Sequence, residues 1–232
     1  MKRKILLFLL IVITKDTYAE LNSCSEHFYE GKVPIYNKIL FQKKNKKLCF
    51  EAFAVLHSGI SKTPLWAAEY LSKKKLNLAK KIKRANEFHS EKKLPKSHRA
   101  FLRDYSQSGF DRGHMAASAN MPTRKAQYES FSLSNVVPQN SENNQDLWSK
   151  IEINIRNFVK KYGEIYVISG PIFEGVLLKK INGRVLVPTH LFKIIFYPKS
   201  KKGVAIITLN DSSGKWKNYS IYELESQLKI NF

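Results

Sequence analysis

Strand-like runs of apolar residues recur along the chain without regular alternation with helices, and this pattern constrains its fold more than any other feature. Runs rich in β-branched and aromatic residues lie at 131–137, 164–168, 190–197 and 204–209. Short apolar runs of this kind are typical of buried strands. Because no regular strand–helix–strand repeat connects them, the sequence predicts a mixed α+β domain.

Local signals refine this prediction. The Asn182-Gly183 pair favours a two-residue hairpin turn between LLKKI and RVLV. The run at 48–56 predicts one buried strand, whereas Pro64 followed by LWAAEYLSK favours the first turns of a helix. Apolar residues on one helical face predict a second helix that ends before Gly163. These residues are Leu147, Ile151, Ile155, Phe158 and Val159.

Positive charge is the strongest compositional signal. The 232 residues include 40 Lys and Arg against 19 Asp and Glu, a formal net charge of +21. Because 43% of the residues are apolar, which is enough for an ordinary core, this charge belongs to the surface. It indicates a polyanionic partner: nucleic acid, an acidic membrane or an acidic polysaccharide.

The N-terminus carries the pattern of a secretory signal peptide. Basic residues at 2–4 precede an uncharged run at 5–14, which is shorter than the about 20 residues of a membrane helix, and small residues at 17–19 suit cleavage. We therefore expect residues 1–19 to be removed and residues 20–232 to form a single domain. That domain would be secreted or periplasmic, with no membrane insertion after cleavage. An uncleaved anchor is the alternative, but a lysine and an aspartate end the apolar run early.

Cys24 and Cys49 are the two cysteines of the chain, and they show neither CxxC spacing nor a zinc-like cluster. In an oxidising compartment they predict one disulfide bridge. On the chain-entropy model this bridge would stabilise the fold by about 3–4 kcal/mol. Two free, buried thiols are the alternative.

A dense polar island holds the candidate chemistry. Residues 108–120 read SGFDRGHMAASAN, and residues 132–152 read SLSNVVPQNSENNQDLWSKIE. The first segment places His114 directly after an acid, an arginine and a glycine, and the glycine lets the backbone approach a ligand. The chain has no P-loop, HExxH, GxSxG or Gly-rich dinucleotide motif, so those common catalytic patterns are excluded.

Asn144 and Glu152 lie eight residues apart on the second predicted helix. An α-helix would place their side chains within about 80° of each other on one flank and about 12 Å apart along the axis. Both groups therefore cannot ligate one ion directly. One could bind a hard cation while the other holds its waters.

At these residues the sequence resembles the sugar-non-specific DNA/RNA endonucleases with the DRGH signature, in particular their endonuclease G branch. The resemblance extends from LHSG and KTPLWAAEYL through both polar segments to YVISGPIF and VPTHLFKIIF. It implies a ββα-metal core (a His-Me finger) inside the mixed domain. It also implies that His114 is the general base, that Asn144 is the single direct protein ligand of Mg²⁺, and that Glu152 acts through a metal-bound water.

Neighbouring residues have expected supporting roles. The resemblance implies that Asn135 supports the site from behind the metal-binding residues and that Arg112 braces it or contacts phosphate. Asp111 either fixes the loop by hydrogen bonds or tunes His114, and the sequence does not separate these two roles.

The phosphate-binding arginine is where the chain departs from the family pattern. Some family members carry it in the segment that matches KTPLW, where this chain has Pro64 and Leu65. Arg99, in the HRA segment, is therefore the candidate for this role. Arg103 and Arg84 are its competitors.

These residue types suit phosphodiester hydrolysis. A neutral imidazole can take a proton from water near pH 7, and the positive field of the protein and of a nearby cation lowers the pKa of His114. Mg²⁺ keeps most of its waters and uses one or two protein oxygens, and Mn²⁺ or another divalent ion could substitute for it. Because water attacks instead of the 2′-hydroxyl, DNA and RNA are both expected substrates, cut to 5′-phosphate and 3′-hydroxyl ends.

Two other functions stay open at this point. One is a catalytically inactive, cationic nucleic-acid-binding protein of the cell envelope. The other is a phosphodiesterase for small or lipid-linked substrates. Because relatives commonly dimerise, a homodimer is an alternative to a monomer, although no residue in the sequence identifies an interface.

Overall fold

The computed structural model describes residues 24–37 and 43–232. The predicted signal peptide at 1–19 lies outside the described residues. Within those ranges, no helix combines the length and the apolar character that a membrane span requires.

The secondary structure of the described residues is dominated by strands. The α-helices are α1 (Lys73–Ala79), α2 (Leu102–Tyr105), α3 (Arg124–Ser130), α4 (Ser149–Tyr162) and α5 (Ile221–Leu228). The strands are β1 (Ile35–Tyr36), β2 (Asn45–Cys49), β3 (Ala54–Ser58), β4 (Thr63–Ser72), β5 (Asp111–His114), β6 (Val136–Gln139), β7 (Glu164–Ile172), β8 (Lys180–Ile181), β9 (Val185–Leu186), β10 (His190–Tyr197), β11 (Lys202–Leu209), β12 (Trp216–Tyr219) and β13 (Ile230–Asn231). A π-helix (Asn143–Trp148) directly precedes α4. Short 3-10 turns cover Ser25–His27, Tyr29–Gly31, Ser118–Asn120 and Leu133–Asn135.

A seven-stranded antiparallel sheet organises the molecule, in the order β12–β11–β10–β7–β4–β3–β2. The helix α4 packs on one face through Ile151, Ile155 and Val159. The helix α5 covers the other face through Leu224 and Leu228. This arrangement of helices on an antiparallel sheet confirms the predicted α+β class.

A smaller unit carries the DRGH segment. The strands β5 and β6 form a separate antiparallel pair, and the π-helix and α4 follow β6 along the chain. Met115, Val137 and Trp148 from this unit join the hydrophobic core beneath α4. The chain therefore has a ββα arrangement on the α4 face of the large sheet.

Three predicted elements differ from the structure. The run at 131–137 is a strand only from Val136 onward, because the 3-10 turn Leu133–Asn135 precedes β6. The run at 48–56 is not one strand, because a turn in which the Phe50 N–H donates to the Phe53 carbonyl (3.0 Å) separates β2 from β3. The segment around Pro64 belongs to β4, an interior strand of the sheet, and is not the start of a helix. A register shift between Leu56 and His57, opposite this proline, accommodates it, since proline is tolerated in sheets at irregular positions.

Burial explains why the β4 segment is extended. Trp66 and Ala67 are both buried but belong to the cores on opposite faces of the sheet. A strand that is buried on both sides shows a nearly continuous apolar run, which periodicity alone does not distinguish from a buried helix.

The predicted hairpin turn and the predicted end of the second helix agree with the structure. Asn182 and Gly183 have positive φ angles of 44° and 66° between β8 and β9, as a two-residue hairpin turn requires. The helix α4 ends at Gly163, whose φ is 101°. The predicted disulfide between Cys24 and Cys49 is confirmed, and it ties the N-terminal described segment to β2.

Candidate active site

His114 stands at the end of β5, where it pairs with Val136 on β6. The preceding Gly113 is required by close packing, because a Cβ atom there would collide with the side chain of Gln139 on β6. The glycine was expected to let the backbone approach a ligand. In the structure it lets β5 approach β6, and this contact sets the position of the histidine.

The imidazole of His114 lies in an apolar and cationic environment. Its side chain packs against Phe88 and Phe131, at ring-centroid distances of 5.2 and 4.9 Å. Burial, followed by the positive charges of Arg84 and Arg112, lowers its pKa to about 3. The histidine is therefore neutral at physiological pH, as general-base chemistry requires.

One nitrogen of this ring has no protein partner. The Nε2 atom of His114 is buried and forms no hydrogen bond with any described residue. Buried polar atoms are nearly always hydrogen-bonded, so an exception at a candidate site points to a catalytic role or to a bound water. The nitrogen is free to exchange a proton with a small molecule.

Asn135 supports the segment that follows His114. Its Oδ1 accepts a hydrogen bond from the Ala116 N–H, and its Nδ2 donates to the carbonyls of Ala116 and Ser130, all at 2.9 Å. The amide is fully buried and uses both ends in these bonds. It therefore fixes the backbone behind the site and is not directed at a ligand.

Asp111 holds the side chain of Asn144. Its Oδ2 accepts hydrogen bonds from the side-chain amides of Asn144 and Gln145, both at 2.9 Å, and its Oδ1 accepts from the Ser141 hydroxyl at 3.0 Å. Partial burial opposes ionisation of this carboxyl, but the three hydrogen bonds outweigh it and lower its pKa. These contacts are with the segment that carries Asn144, so they support the first of the two roles that the sequence left open.

The orientation of the Asn144 amide suits a hard cation. Since Nδ2 is engaged by Asp111, Oδ1 points elsewhere, and no described residue donates a hydrogen bond to it. Within 24–37 and 43–232 no three His, Cys, Asp or Glu side chains come together as a metal site. A magnesium ion here would rely on one amide oxygen and its own waters, a coordination that Mg²⁺ accepts readily.

The π-helix changes the expected relationship between Asn144 and Glu152. Asn144 lies in the π-helix Asn143–Trp148, whereas Glu152 lies in the first turn of α4. The expected angle of about 80° assumed α-helical turns throughout, and the wider π turn invalidates it. Single π turns inside helices are frequent at functional sites.

Glu152 lies among cations. Its side chain is 17% exposed, and Oε1 lies 4.0 Å from Nζ of Lys193. Burial raises the pKa of this carboxyl, and the charges of Lys193, Arg156 and Arg84 oppose the shift. Burial is the larger effect, and the three positive charges limit the rise by favouring the ionised carboxylate.

Two buried charged residues beneath the site were not predicted. Lys193 on β10 is 1% exposed and lies 4.4 Å from the ring centroid of Trp148. Glu69 on β4 is 2% exposed, accepts two hydrogen bonds from Nδ2 of Asn120, and has its pKa raised by burial to about 7. The available signal was a single charged residue inside each of two otherwise apolar strands.

The structure brings Arg84 and Arg112 to the site but not Arg99. Arg112 lies 4.3 Å from the ring centroid of Phe88, and Arg84 acts electrostatically on the pKa values of both His114 and Glu152. The Nη1 atom of Arg99 instead donates to a backbone carbonyl, and its guanidinium lies over another aromatic ring. Its expected place at the phosphate is therefore not supported by any contact.

Comparison with known proteins agrees with these features. The model of the DNA/RNA non-specific endonuclease family matches residues 32–232. The mitochondrial nuclease EXOG of Danio rerio is 36% identical over 156 residues, which are 62% of this chain and 45% of the relative. Human mitochondrial endonuclease G is 33% identical over 62% of this chain and 52% of its own length. Nuclease C1 of Cunninghamella echinulata is 32% identical over 64% of each chain.

A solved structure shows the same fold. A chain in the crystal structure of the EndoG/EndoGI complex superposes with a TM-score of 0.72 at 24% identity, covering 80% of this chain and 84% of that chain. The chain spans about half the length of the mitochondrial relatives it matches.

These relatives overturn the predicted location. EXOG, endonuclease G and the mitochondrial nuclease of Saccharomyces cerevisiae are mitochondrial proteins by name, so the prediction of a secreted or periplasmic protein is wrong. It rested on basic residues followed by a short apolar run, and targeting segments for different compartments share features of this kind. Because the family model matches most of the residues, the chain belongs to the DNA/RNA non-specific endonuclease family.

Proposed function

We propose that this chain is a divalent-metal-dependent endonuclease that hydrolyses phosphodiester bonds of DNA and RNA, and that residues 20–232 form its single nuclease domain. The observation that carries the proposal is the neutral, buried imidazole of His114, whose Nε2 has no protein partner. The buried His27 and His57 also have a ring nitrogen without a partner, but the other nitrogen of each bonds a backbone carbonyl. His114 instead lies beside Arg84 and Arg112, where a neutral base can serve phosphate chemistry.

His114 takes a proton from a water molecule, and the water oxygen attacks phosphorus. The bond between phosphorus and the 3′-oxygen breaks, and the 3′-oxygen takes a proton from a solvent water, which leaves 5′-phosphate and 3′-hydroxyl ends. Because water is the nucleophile, the 2′-hydroxyl of RNA is not needed. The same site therefore acts on both kinds of nucleic acid.

Asn144 and Glu152 are the residues that would hold Mg²⁺, Asn144 through Oδ1 and Glu152 through the waters of the ion. When bound, the ion supplies positive charge at the scissile phosphate. By accepting a hydrogen bond from Nδ2, Asp111 fixes the Asn144 amide, and Oδ1 receives no hydrogen bond from any described residue. Mn²⁺ and other divalent ions that accept oxygen ligands are expected to replace Mg²⁺.

Arg84 and Arg112 are the proposed phosphate-binding cations. Both charges reach the surroundings of His114, and fixed positive charge aimed at the phosphate stabilises the charge that develops as the bond breaks. Arg84 has the better support, because its charge also reaches Glu152.

The experiment is a digest of supercoiled DNA and of RNA with millimolar Mg²⁺, with and without EDTA. We expect cleavage of both substrates, loss of cleavage with EDTA, and a large loss for His114→Ala. His190→Ala is the matched control, since this side chain contacts Thr189 and Glu174. A catalytically inactive nucleic-acid-binding protein would instead retain DNA without strand breaks, and that result would refute the proposal.

A further inference from the structure

A basic groove lies between the helices α1 and α4, next to the candidate site. We name it the α1–α4 groove; it has a volume of about 340 Å³. Its lining comes from α1, from the segment after it, from the 3-10 turn Ser118–Asn120, from α3 and from the outer side of α4. The charged and large apolar lining residues on α4 and in the segment after α1 are Lys80, Ile82, Arg84, Ile153, Arg156 and Lys160.

The charge of the groove is positive and not neutralised. Four cations line it, and no acidic residue does. None of the four forms an ion pair with an acidic side chain in the described part of the chain. Lys160 and Arg156 donate only to asparagine oxygens, at 3.0 and 3.4 Å. Unpaired cations of this density attract a polyanion.

The groove adjoins the candidate site. Arg84 lines it, and its guanidinium lies 5.1 Å from the ring centroid of Phe131, which packs against His114 at 4.9 Å. Arg156 lies one helical turn after Glu152 on α4 and influences the same carboxyl. A strand whose scissile phosphate lies at His114 would therefore enter this groove with its next phosphates.

The groove combines its cations with an apolar strip. Ile82 and Ile153 line it, and Ile153 is 46% exposed. No aromatic residue is part of the lining. Aliphatic side chains contact a sugar or the face of any base, but they do not read base edges.

We propose that the α1–α4 groove binds the nucleic-acid strand on one side of the scissile phosphate, with Lys80 and Lys160 on its phosphates and Ile153 against a sugar or base. This inference rests on the proposed nuclease function. The volume lies at the small end of the about 300–1,000 Å³ typical of ligand sites. It suits a nucleotide unit of one strand and not a whole duplex.

Binding without catalysis provides the first test. The Kd of a fluorescent single-stranded oligonucleotide is measured in EDTA at several salt concentrations for the wild type and for Lys80→Ala/Lys160→Ala. Losing two phosphate contacts should reduce the slope of log K against log salt by about 1.4 and raise the Kd at 0.1 M salt by roughly tenfold or more.

The matched control removes two lysines elsewhere. Lys47 and Lys217 are exposed residues of the edge strands β2 and β12, so Lys47→Ala/Lys217→Ala lowers the net charge equally. We expect its Kd to change less than threefold. Equal losses in both double variants would overturn the proposal, because they would show a diffuse effect of net charge.

Catalysis provides the second test. Ile153→Glu places a negative charge in the groove. The control, Tyr222→Glu, places the same charge on α5, which covers the opposite face of the sheet. The kcat/KM for long DNA relative to that for bis(4-nitrophenyl) phosphate should fall at least tenfold in Ile153→Glu and stay constant in Tyr222→Glu. An unchanged ratio in Ile153→Glu would refute the proposed role of the groove in binding the substrate. If the wild type cleaved no nucleic acid, the proposed nuclease function would be refuted. The oligonucleotide-binding experiment would still test whether the groove binds nucleic acid.

Discussion

The Nζ atom of Lys193 lies 4.0 Å from Oε1 of Glu152 in a part of the molecule that is nearly closed to solvent. The same ammonium lies over the ring of Trp148, whose indole N–H donates to the carbonyl of His114 at 3.2 Å. One buried cation therefore contacts the helix that carries Glu152 and, through Trp148, the backbone of the histidine. This arrangement predicts that Lys193 positions both halves of the site.

Replacing Lys193 by Met should lower kcat at least tenfold and raise the Mg²⁺ concentration needed for half-maximal activity. The free energy of unfolding should fall by about 3–5 kcal/mol, because breaking a buried ion pair leaves a charge without its partner. Urea denaturation and Mg²⁺ titration of DNA cleavage measure the two effects. Lys193→Arg, which keeps the charge, should recover part of both.

A double variant separates positioning from stability. Lys193→Met/Glu152→Gln removes both charges, so we expect much of the lost stability to return. Activity should not return with it. If Lys193→Met kept wild-type activity and Mg²⁺ dependence, the lysine would have no role in positioning Glu152.

The two kinds of site residue differ in how far the sequence could predict them. His114, Asn144 and Glu152 belong to local motifs that carry the resemblance to the endonuclease family, and this resemblance implies their roles before the fold is known. Lys193 and Glu69 lie in apolar strands, and only the register of the sheet shows that both face α4. The order of seven strands depends on long-range pairing that local patterns do not encode.

The π-helix and the position of Arg84 also depend on tertiary contacts that local sequence patterns do not encode. The sequence predicted an α-helix that carries Asn144. In the structure Asn143–Trp148 is a π-helix, in which Asn144 is hydrogen-bonded to Asp111 and Asn143 to the carbonyl of Leu209, both distant in sequence. Arg84 lies in a basic, irregular segment far from His114 in sequence. Its place beside the site is set by tertiary packing, including the contact of its guanidinium with Phe131 at 5.1 Å.

Arg84→Ala should reduce kcat for DNA about a hundredfold, since removing one fixed donor from a developing negative charge has effects of this size. Arg99→Ala is the matched comparison and should reduce kcat less than fivefold, because Arg99 donates to the Glu91 carbonyl away from the site. Steady-state cleavage of a defined duplex measures both. A larger loss in Arg99→Ala would restore the assignment that the sequence favoured.

Asp111→Asn should raise the half-saturating Mg²⁺ concentration by about tenfold to a hundredfold. The substitution replaces one acceptor oxygen by a donor, so the Asn144 amide loses its anchor, and losing such outer partners typically weakens metal sites by this factor. Mn²⁺ binding followed by electron paramagnetic resonance gives a readout apart from activity. Asp146 is an exposed residue of the same π-helix and pairs with Lys150. The control variant Asp146→Asn should therefore leave metal binding unchanged. Equal weakening in both variants would contradict the anchoring role of Asp111.

The lowered pKa of His114 also predicts how stability depends on pH. In the unfolded chain this imidazole gains a proton below about pH 6.5, whereas in the folded protein it does so only near its pKa of about 3. Between these values the unfolded state binds more protons, so the free energy of unfolding falls as the pH is lowered, by up to about 1.4 kcal/mol per pH unit from this residue. His114→Gln removes the titration, and its stability in EDTA should decline less steeply than that of the wild type between pH 7 and pH 5. His57, whose pKa burial lowers to about 4, titrates in both proteins and cancels in the difference. Parallel stability curves, measured by urea denaturation, would mean that the folded protein protonates His114 near its ordinary pKa and that the base is not held neutral by burial.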